Sequence, residues 1–211
     1  MIIAVDGPAA AGKGTLTRAL AEHYGLPRLD TGVLYRAVAA TLLADCLDPA
    51  DTEVCARVAG TLDLSRFADA DLRTSEVSQL ASVVSSQPDV RKALLMFQRA
   101  FAARPPGAVL DGRDIGTVVC PDADVKLFVT ASTEARARRR WLELRQAGTD
   151  IDLQSVFENI RDRDERDSSR GTSPMRCADD AHLLDTTEMD IEAAFRAAVS
   201  IIDAVWPGTG G

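Results

Sequence analysis

An apolar run at the amino terminus leads directly into a glycine-containing loop. Residues 1–6 read MIIAVD, which is typical of a buried β-strand, and Gly7 begins the loop that follows. From Lys13 to about Tyr24 apolar positions recur at helical spacing, and Gly25 ends the predicted helix. The pattern therefore predicts a strand, a loop and a helix in immediate succession.

Short apolar strands alternate with helical patterns through the rest of the chain. Strands joined by helices run parallel in one sheet, and such sheets bind ligands at the carboxyl ends of their strands. The sequence therefore predicts an α/β fold with a central parallel sheet flanked by helices. The other strands are predicted at 28–30, 108–110, 125–129 and 182–184, and the other helices start near Thr31, Ser75, Pro88, Thr133, Leu153 and Asp190.

Two stretches depart from this alternation. Residues 48–73 are rich in acidic residues and contain Pro49, which favours an inserted flap. Residues 136–171 carry dense runs of arginine and acidic residues and are predicted to form a short lid. The chain is long enough for one domain and too short for two independent enzymes. We predict a core at about 1–45, 104–135 and 172–211, an insertion at about 46–103, a lid at about 136–171, and fraying of residues 208–211.

The first loop has the pattern G-x-x-x-x-G-K-G-T. Loop amides and the start of the following helix point at an anion in such a loop, and Lys13 adds a mobile positive charge. The Thr15 hydroxyl can hold a magnesium ion. The loop is therefore predicted to bind ATP with Mg²⁺. Its predicted binding residues are Gly7, Pro8, Ala9, Ala10, Ala11, Gly12, Lys13, Gly14 and Thr15.

Charge and cysteine usage exclude several other classes of protein. The chain has 24 basic and 32 acidic residues, a net charge of −8, which argues against binding to nucleic acid or an anionic membrane. All but three of the 24 basic residues are arginines, whose planar forks suit phosphate oxygens. The 4 cysteines form no C-x-x-C pair and the 2 histidines stand alone, so zinc sites and Ser-His-Asp triads are poor interpretations. The first strand leaves no room for a signal peptide and no long apolar span follows, so we expect a cytoplasmic protein.

Polar clusters follow the predicted strands and are expected to converge at one edge of the sheet. Asp111 is placed either as a metal-supporting carboxylate or as a turn cap, and Arg113 is placed to face the phosphate loop. In the lid, Arg136, Arg139 and Arg140 share one helix face, which either reaches a γ-phosphate or is simply solvated. Arg163, Asp167 and Arg170 fall on a common face of the next predicted helix.

Motifs along nearly the whole chain resemble those of bacterial cytidylate kinases. They are V-D-G-P-A-A-A-G-K-G-T from Val5, L-D-T-G-V-L-Y-R from Leu29, L-D-G-R-D-I-G-T-V-V from Leu110 and R-D-x-x-D-S-S-R from Arg163. The resemblance implies a three-layer P-loop kinase fold and transfer of the γ-phosphoryl group of ATP to CMP or dCMP with Mg²⁺, within pyrimidine nucleotide metabolism. It also implies that the insertion lies on the monophosphate side. We expect a monomer whose partners are the small-molecule substrates ATP and CMP or dCMP, with no nucleic acid and no membrane.

The resemblance further implies a role for individual residues. Acceptor-binding positions carry over residue by residue, except that Thr31 stands where many relatives have serine, which keeps a hydroxyl but adds a methyl group. The expected CMP site is Thr31, Arg36, Ser82, Arg91, Arg113, Asp114, Arg163, Asp167 and Arg170, of which Ser82, Arg91 and Asp114 read the base. The alternative for Asp114 is that it only pairs with Arg113 or Arg91 and orients that arginine. The expected catalytic residues are Lys13, Asp111, Arg113 and Arg139, and the expected metal ligands are Thr15 and Asp111.

Three other functions compete with this interpretation. One is a non-catalytic nucleotide sensor, which no motif excludes, although Lys13, Asp111 and the arginines are all present. A P-loop kinase for another small acceptor would share the phosphate loop but lack a paired base reader such as Arg91 and Asp114. A nucleotide-dependent switch protein would need an Asn-Lys-x-Asp guanine clamp. The only asparagine is Asn159, which Ile160 follows, so the switch interpretation is close to excluded.

Overall fold

The predicted parallel sheet is confirmed. In a computed structural model that describes residues 1–206, five strands lie in the order β2-β3-β1-β4-β5, and every pairing is parallel. The expected fraying of residues 208–211 lies outside the described residues. The strands are β1 (Ile2–Asp6), β2 (Arg28–Asp30), β3 (Ala108–Asp111), β4 (Val125–Thr130) and β5 (His182–Asp185).

Helices connect the strands and cover the sheet. Asp190 caps the last helix by accepting a hydrogen bond from the Ala193 amide at 2.7 Å, as its position before an apolar helical pattern predicts. The helices are α1 (Lys13–Tyr24), α2 (Thr31–Ala44), α3 (Thr52–Gly60), α4 (Ser75–Val84), α5 (Pro88–Ala102), α6 (Thr133–Gln146), α7 (Leu153–Ser169) and α8 (Ile191–Val205).

The apolar side chains form separate clusters. One cluster packs the sheet against α1 and α8 and includes Ile3, Leu20 and Ile202, none of which is exposed. A second cluster joins α2 to α3, α4 and α5. The insertion is therefore held to the core through α2, which follows directly from β2. In the lid, α6 and α7 pack through a small cluster of their own.

The sheet register places acidic strand ends side by side. Asp111 at the end of β3 pairs in register with Val5 in β1 and with Asp30 in β2. Asp6, the last residue of β1, pairs in register with Phe128 in β4. These ends meet at one edge because all the strands run in the same direction. The site predicted from the sequence lies at this edge.

Helix α3 (Thr52–Gly60) is a helix that the sequence interpretation missed, because the flap was read without regular structure. Its amino terminus is capped by Asp51, whose Oδ1 accepts from the amides of Glu53 at 3.1 Å and Val54 at 3.0 Å. Among the residues that the structure describes, no helix is both long enough and apolar enough to cross a membrane.

Candidate active site

The loop between β1 and α1 forms the predicted phosphate cradle. Gly7 (φ 139°) and Gly12 (φ 87°) adopt conformations that favour glycine, and Ala10 has φ 59°. A Cβ added to Gly7 would lie 1.9 Å from the carbonyl oxygen of Val129, so only glycine allows the loop to pass this close to β4. The turn directs the first amides of α1 toward the cleft, as anion binding at a helix start requires.

Lys13 lies inside the cradle as a buried cation. It is 6 % exposed, and its Nζ donates a hydrogen bond of 2.7 Å to the carbonyl oxygen of Pro8. Burial and, after it, the charge of Arg113 lower the pKa of Lys13 to about 7. Within residues 1–206 no carboxylate forms an ion pair with this amine. A bound polyanion would therefore favour the protonated form.

A single cleft of about 960 Å³ joins the cradle to the insertion and the lid. Most of the predicted site residues line this cleft. Gly7 and Pro8, which also belong to the loop, are buried and do not line it. The lining residues that the sequence predicted are Ala9, Ala10, Ala11, Gly12, Lys13, Gly14, Thr15, Thr31, Arg36, Ser82, Arg91, Asp111, Arg113, Asp114, Arg139, Arg163, Asp167 and Arg170.

Asp111 lies at the cradle but is already partnered. Its Oδ2 accepts from Arg28 Nη2 at 2.8 Å and from Thr17 Oγ1 at 2.9 Å. Arg28 lines the same cleft, and sequence reasoning missed it. Oxygen donors are the ligands that Mg²⁺ prefers, and the exposed Thr15 hydroxyl and the remaining Asp111 oxygen fit that preference.

The described residues contain no group of three or more His, Cys, Asp or Glu side chains arranged to hold a metal ion. Mg²⁺ usually keeps several waters and binds through one or two protein groups together with substrate phosphates. The sparse oxygen set at Thr15 and Asp111 therefore fits a magnesium ion that binds together with a triphosphate.

Asp167 joins two of the predicted phosphate-binding arginines. Its Oδ2 accepts from Arg113 Nε at 2.8 Å, and its Oδ1 accepts from Arg170 Nη2 at 2.9 Å. Asp167 is 4 % exposed, and these two arginines hold its pKa below the usual range although burial opposes the shift. The carboxylate thus aligns guanidinium groups from β3 and the lid at the same place.

Two more arginines contribute unsatisfied donors. Arg163 forms no ion pair within the described residues, and its buried Nε has no hydrogen-bond partner. Burial and then the charge of Arg113 lower the pKa of Arg163 to about 10. Arg36 pairs with Asp30 at 2.9 Å, but its Nε is also buried and finds no hydrogen-bond partner in the described part of the chain. Buried donors without acceptors are unfavourable, so the cleft is arranged to receive an anion.

The predicted base reader lies in the insertion half of the cleft. Arg91 Nη2 donates to Asp114 Oδ2, and Arg91 Nη1 donates to the Ser85 carbonyl oxygen at 3.2 Å. The Ser82 hydroxyl and Arg91 Nε are buried and have no hydrogen-bond partner among the described residues. No described residue donates a hydrogen bond to the other oxygen of Asp114. Unused donors and acceptors thus meet in one buried place.

Of the three α6 arginines that the sequence placed on one face, Arg139 and Arg140 line the cleft, whereas Arg136 does not. Arg136 is 4 % exposed and donates to the carbonyl oxygens of Ala131 and Ala9, and its Nη1 lies 2.7 Å from Asp164 Oδ2. Arg136 therefore ties the lid to the cradle. Arg139 lines the cleft, but its Nη1 donates to Thr186 Oγ1 at 3.1 Å. The catalytic role predicted for Arg139 remains a prediction.

Thr31 begins α2 at the edge of the cleft. Its hydroxyl donates a hydrogen bond of 2.8 Å to the Asp111 carbonyl oxygen, and the residue is 4 % exposed. A Cβ on Gly112 would lie 2.7 Å from this hydroxyl, so the neighbouring glycine makes room for it. The hydroxyl hydrogen is therefore committed to β3, and only the oxygen lone pairs are available to a ligand.

Comparison with known proteins identifies the family. The model of the family described as Cytidylate kinase matches residues 3–204. This chain belongs to the cytidylate kinase family. A cytidylate kinase of Methylocella silvestris is 58 % identical over 97 % of this chain and 94 % of its own length. A cytidylate kinase of Bradyrhizobium sp. is 56 % identical over 99 % of this chain and 98 % of its own length.

Solved structures show the same fold in more distant proteins. An uncharacterized protein from Eubacterium ventriosum has a TM-score of 0.59 at 16 % identity, covering 97 % of this chain and 99 % of its own. A gluconokinase from Sinorhizobium meliloti has a TM-score of 0.51 at 15 % identity, covering 96 % of this chain and 91 % of its own. At these identities the likeness shows the fold alone. Family membership therefore rests on the family model and the close relatives.

Proposed function

We propose that this protein transfers the γ-phosphoryl group of ATP to CMP or dCMP, giving ADP and CDP or dCDP. The observation that carries the proposal is the single cleft that joins the phosphate cradle at Lys13 to the buried Arg91–Asp114 pair. A cradle alone fits any P-loop kinase, whereas the paired reader beside it fits a cytosine base. Full-length similarity to cytidylate kinases supports the same activity.

Phosphoryl transfer asks the protein chiefly to align donor and acceptor and to neutralise charge. The amides of the cradle and Lys13 are placed to hold the triphosphate. Thr15 and Asp111 would hold Mg²⁺, which supplies charge neutralisation on the phosphate oxygens when it is bound. Lys13 and Arg113 line the same cleft, and both cations are proposed to face the charge that develops during transfer.

The acceptor phosphate is proposed to bind between Arg36, Arg113 and Arg170. Asp167 already aligns Arg113 and Arg170 without a ligand, so little side-chain freedom would be lost when the phosphate binds. Arg163, whose Nε lacks a partner, is proposed to donate to the sugar hydroxyls. Asp167 is proposed to accept from the same hydroxyls, and it would share its oxygens between sugar and arginines.

The first test is substrate choice. With Mg²⁺ and ATP, we expect CMP to be phosphorylated reversibly and AMP and GMP to be poor acceptors, because a purine does not present the edge of cytosine to Asp114 and Arg91. A coupled assay of ADP release with each monophosphate measures this. Comparable kcat/KM for AMP and CMP would contradict the proposal and favour another P-loop kinase activity.

The lid is proposed to close over the triphosphate, because an open site would lose the phosphoryl group to water. Gly148, with φ 80°, and Gly171 are the proposed hinge ends. The lid already contacts the insertion through a hydrogen bond of 3.3 Å from Arg170 Nη1 to the Ser85 carbonyl oxygen. We expect slower proteolysis between residues 136 and 171 when a non-hydrolysable ATP analogue and CMP are both bound. Equal cleavage rates with and without the nucleotides would argue against closure.

The division into core, insertion and lid, a monomeric state, a cytoplasmic location and a place in pyrimidine nucleotide metabolism are further parts of the proposal. The clusters that join α2 to the insertion and α6 to α7 support the proposed division, and family membership supports the proposed metabolic role. Sedimentation of the purified protein with and without nucleotides tests the oligomeric state directly.

A further inference from the structure

Asp6 is a buried carboxylate that no step described above uses. It is the last residue of β1 and is 4 % exposed. Its Oδ1 accepts from the Ile115 amide at 2.8 Å, and its Oδ2 accepts from the Gly116 amide at 2.7 Å. Both oxygens therefore bind backbone in the segment that follows β3.

The position of Asp6 in the chain links two halves of the cleft. Gly7, the next residue, begins the phosphate cradle. On the other side, the Ile115 and Gly116 amides directly follow Arg113 and Asp114, which are proposed to meet the acceptor. Through these two hydrogen bonds, the Asp6 carboxylate connects the donor side of the cleft to the acceptor side.

We propose that Asp6 is a positioning residue for phosphoryl transfer. Its carboxylate fixes the 112–116 segment relative to the phosphate cradle, and it thereby sets the Arg113 and Asp114 side chains toward the acceptor. The inference rests on the proposed function, since it names a residue that acts through the acceptor-binding groups. A small shift of those groups is enough to slow transfer, because the reacting atoms must be aligned closely.

Burial makes the ionised form of Asp6 unfavourable for folding. Burial raises the pKa of Asp6 to about 6, although the hydrogen bonds from Gly116 and Ile115 lower it. If the side chain at position 6 only filled space, a neutral residue there would make the fold more stable. Charged or ionisable groups face Asp6 from each neighbouring element: Lys13 on α1, Asp114 and Cys120 around the helical turn 115–119, Lys126 on β4, and Cys177 before β5.

The sign of the pH effect follows from this shift. An Asp with a folded-state pKa above its unfolded value binds more protons in the folded state between pH 3.8 and about 6. Its contribution to stability is therefore fully present below pH 3.8 and is lost as the pH rises through about 6. At neutral pH the ionised Asp6 lowers the stability of the fold, and a neutral substitute does not.

The substitution Asp6→Asn tests the proposal. The amide keeps one acceptor oxygen but places an N–H donor against the second backbone amide, so the segment shifts. We expect the KM for CMP to rise about tenfold and kcat to fall by a similar factor, with the KM for ATP changed less than about twofold. The midpoint of thermal unfolding at pH 7.5 is expected not to fall, and its excess over wild type should shrink as the pH is lowered to 5.

A matched control is Asp51→Asn in the cap of α3. Asp51 also accepts from two backbone amides, but it is exposed and does not line the cleft. We expect its substitution to leave both KM values unchanged and to lower thermal stability slightly. Comparing the two variants separates the effect of losing any carboxylate–amide hydrogen bond from the effect of losing the bonds that Asp6 forms at the cleft.

The pH dependence of kcat/KM for CMP is a measurement that a purely structural role of Asp6 would not change. In wild type, kcat/KM for CMP should fall below about pH 6 as Asp6 becomes protonated. In Asp6→Asn that limb should be absent, so the ratio of wild-type to variant kcat/KM should fall below about pH 6. The titrations of the nucleotides are common to both proteins and cancel in this ratio. Amide hydrogen exchange at Ile115 and Gly116 should be faster in the variant.

Three results would overturn the inference. They are an unchanged pH profile, equal increases in the KM for ATP and CMP, and a drop in thermal stability that matches the drop in activity. If wild type fails to phosphorylate CMP, the proposed function fails instead. In that case the hydrogen exchange at Ile115 and Gly116 still decides whether Asp6 fixes the segment.

Discussion

Replacing Lys13 with Ala is expected to lower kcat by about 100-fold or more, as the loss of a donor that acts on transition-state charge does in other enzymes. The Lys13 amine lies in the cradle, and no carboxylate of residues 1–206 pairs with it, so its charge is available to the transferring phosphoryl group. Arg113→Ala is expected to have an effect of similar size, because Arg113 lies beside Lys13 and faces the acceptor side. Steady-state rates with saturating ATP and CMP measure both.

The fold is expected to survive the loss of the Lys13 charge. Burial lowers the pKa of Lys13 to about 7, so the protonated lysine is unfavourable in the free protein, and a neutral side chain is not expected to reduce stability. Lys13→Met, which keeps the buried aliphatic chain, is the matched control for the cavity that Ala leaves. If both variants unfold, the lysine is structural and the catalytic assignment is wrong.

Local pattern was sufficient to predict the sheet and the cradle. The apolar run before Gly7 and the helical spacing after Lys13 are signals within about 25 residues of each other, and the structure reproduces them. Helix α3 shows the limit of the same method. The sequence does contain a helix pattern here, since Asp51 can cap a helix and apolar residues follow at Val54, Cys55 and Val58. The acidic residues around it and Pro49 instead led to the prediction of a flap.

The partners of individual arginine side chains could not be predicted from the sequence. Helical periodicity predicted that Arg136, Arg139 and Arg140 share a face, but it does not tell which surface that face packs against. Arg136 packs against the cradle carbonyl of Ala9, so it is not free for phosphate. Arg28 reaches Asp111 because β2 and β3 are neighbouring strands. This pairing joins segments that are far apart in the chain, so local sequence patterns do not reveal it.

Asp114 both orients an arginine and retains a free oxygen, which bears on its expected role. Sequence reasoning left two roles open, base reading and orientation of an arginine. In the structure one oxygen of Asp114 accepts from Arg91, and no described residue donates a hydrogen bond to the other oxygen. The two roles are therefore compatible, since one carboxylate can hold Arg91 and still accept from the exocyclic amine of cytosine.

Replacing Asp114 with Asn is expected to reduce the preference for CMP over UMP markedly. Uracil presents a carbonyl where cytosine has its amine, so in wild type it sets an oxygen against the carboxylate. The lost hydrogen bond and the repulsion together should separate the two bases by about 2–4 kcal/mol in transition-state binding. In the variant the amide oxygen can still accept from Arg91 while the amide nitrogen donates to uracil. The ratio of kcat/KM for CMP to that for UMP measures the change.

The same experiment distinguishes reading from orientation. If Asp114 only orients Arg91, Asp114→Asn weakens a charge-assisted contact that both bases need, and both substrates lose rate by the same factor. If Asp114 reads the base, CMP loses rate and UMP gains relative to it, while the KM for ATP stays unchanged because the cradle is not altered. Arg91→Lys provides the comparison, since it disturbs the pair from the other side without placing a donor against uracil. A shrinking CMP to UMP ratio in Asp114→Asn but not in Arg91→Lys would assign base choice to the free oxygen of Asp114.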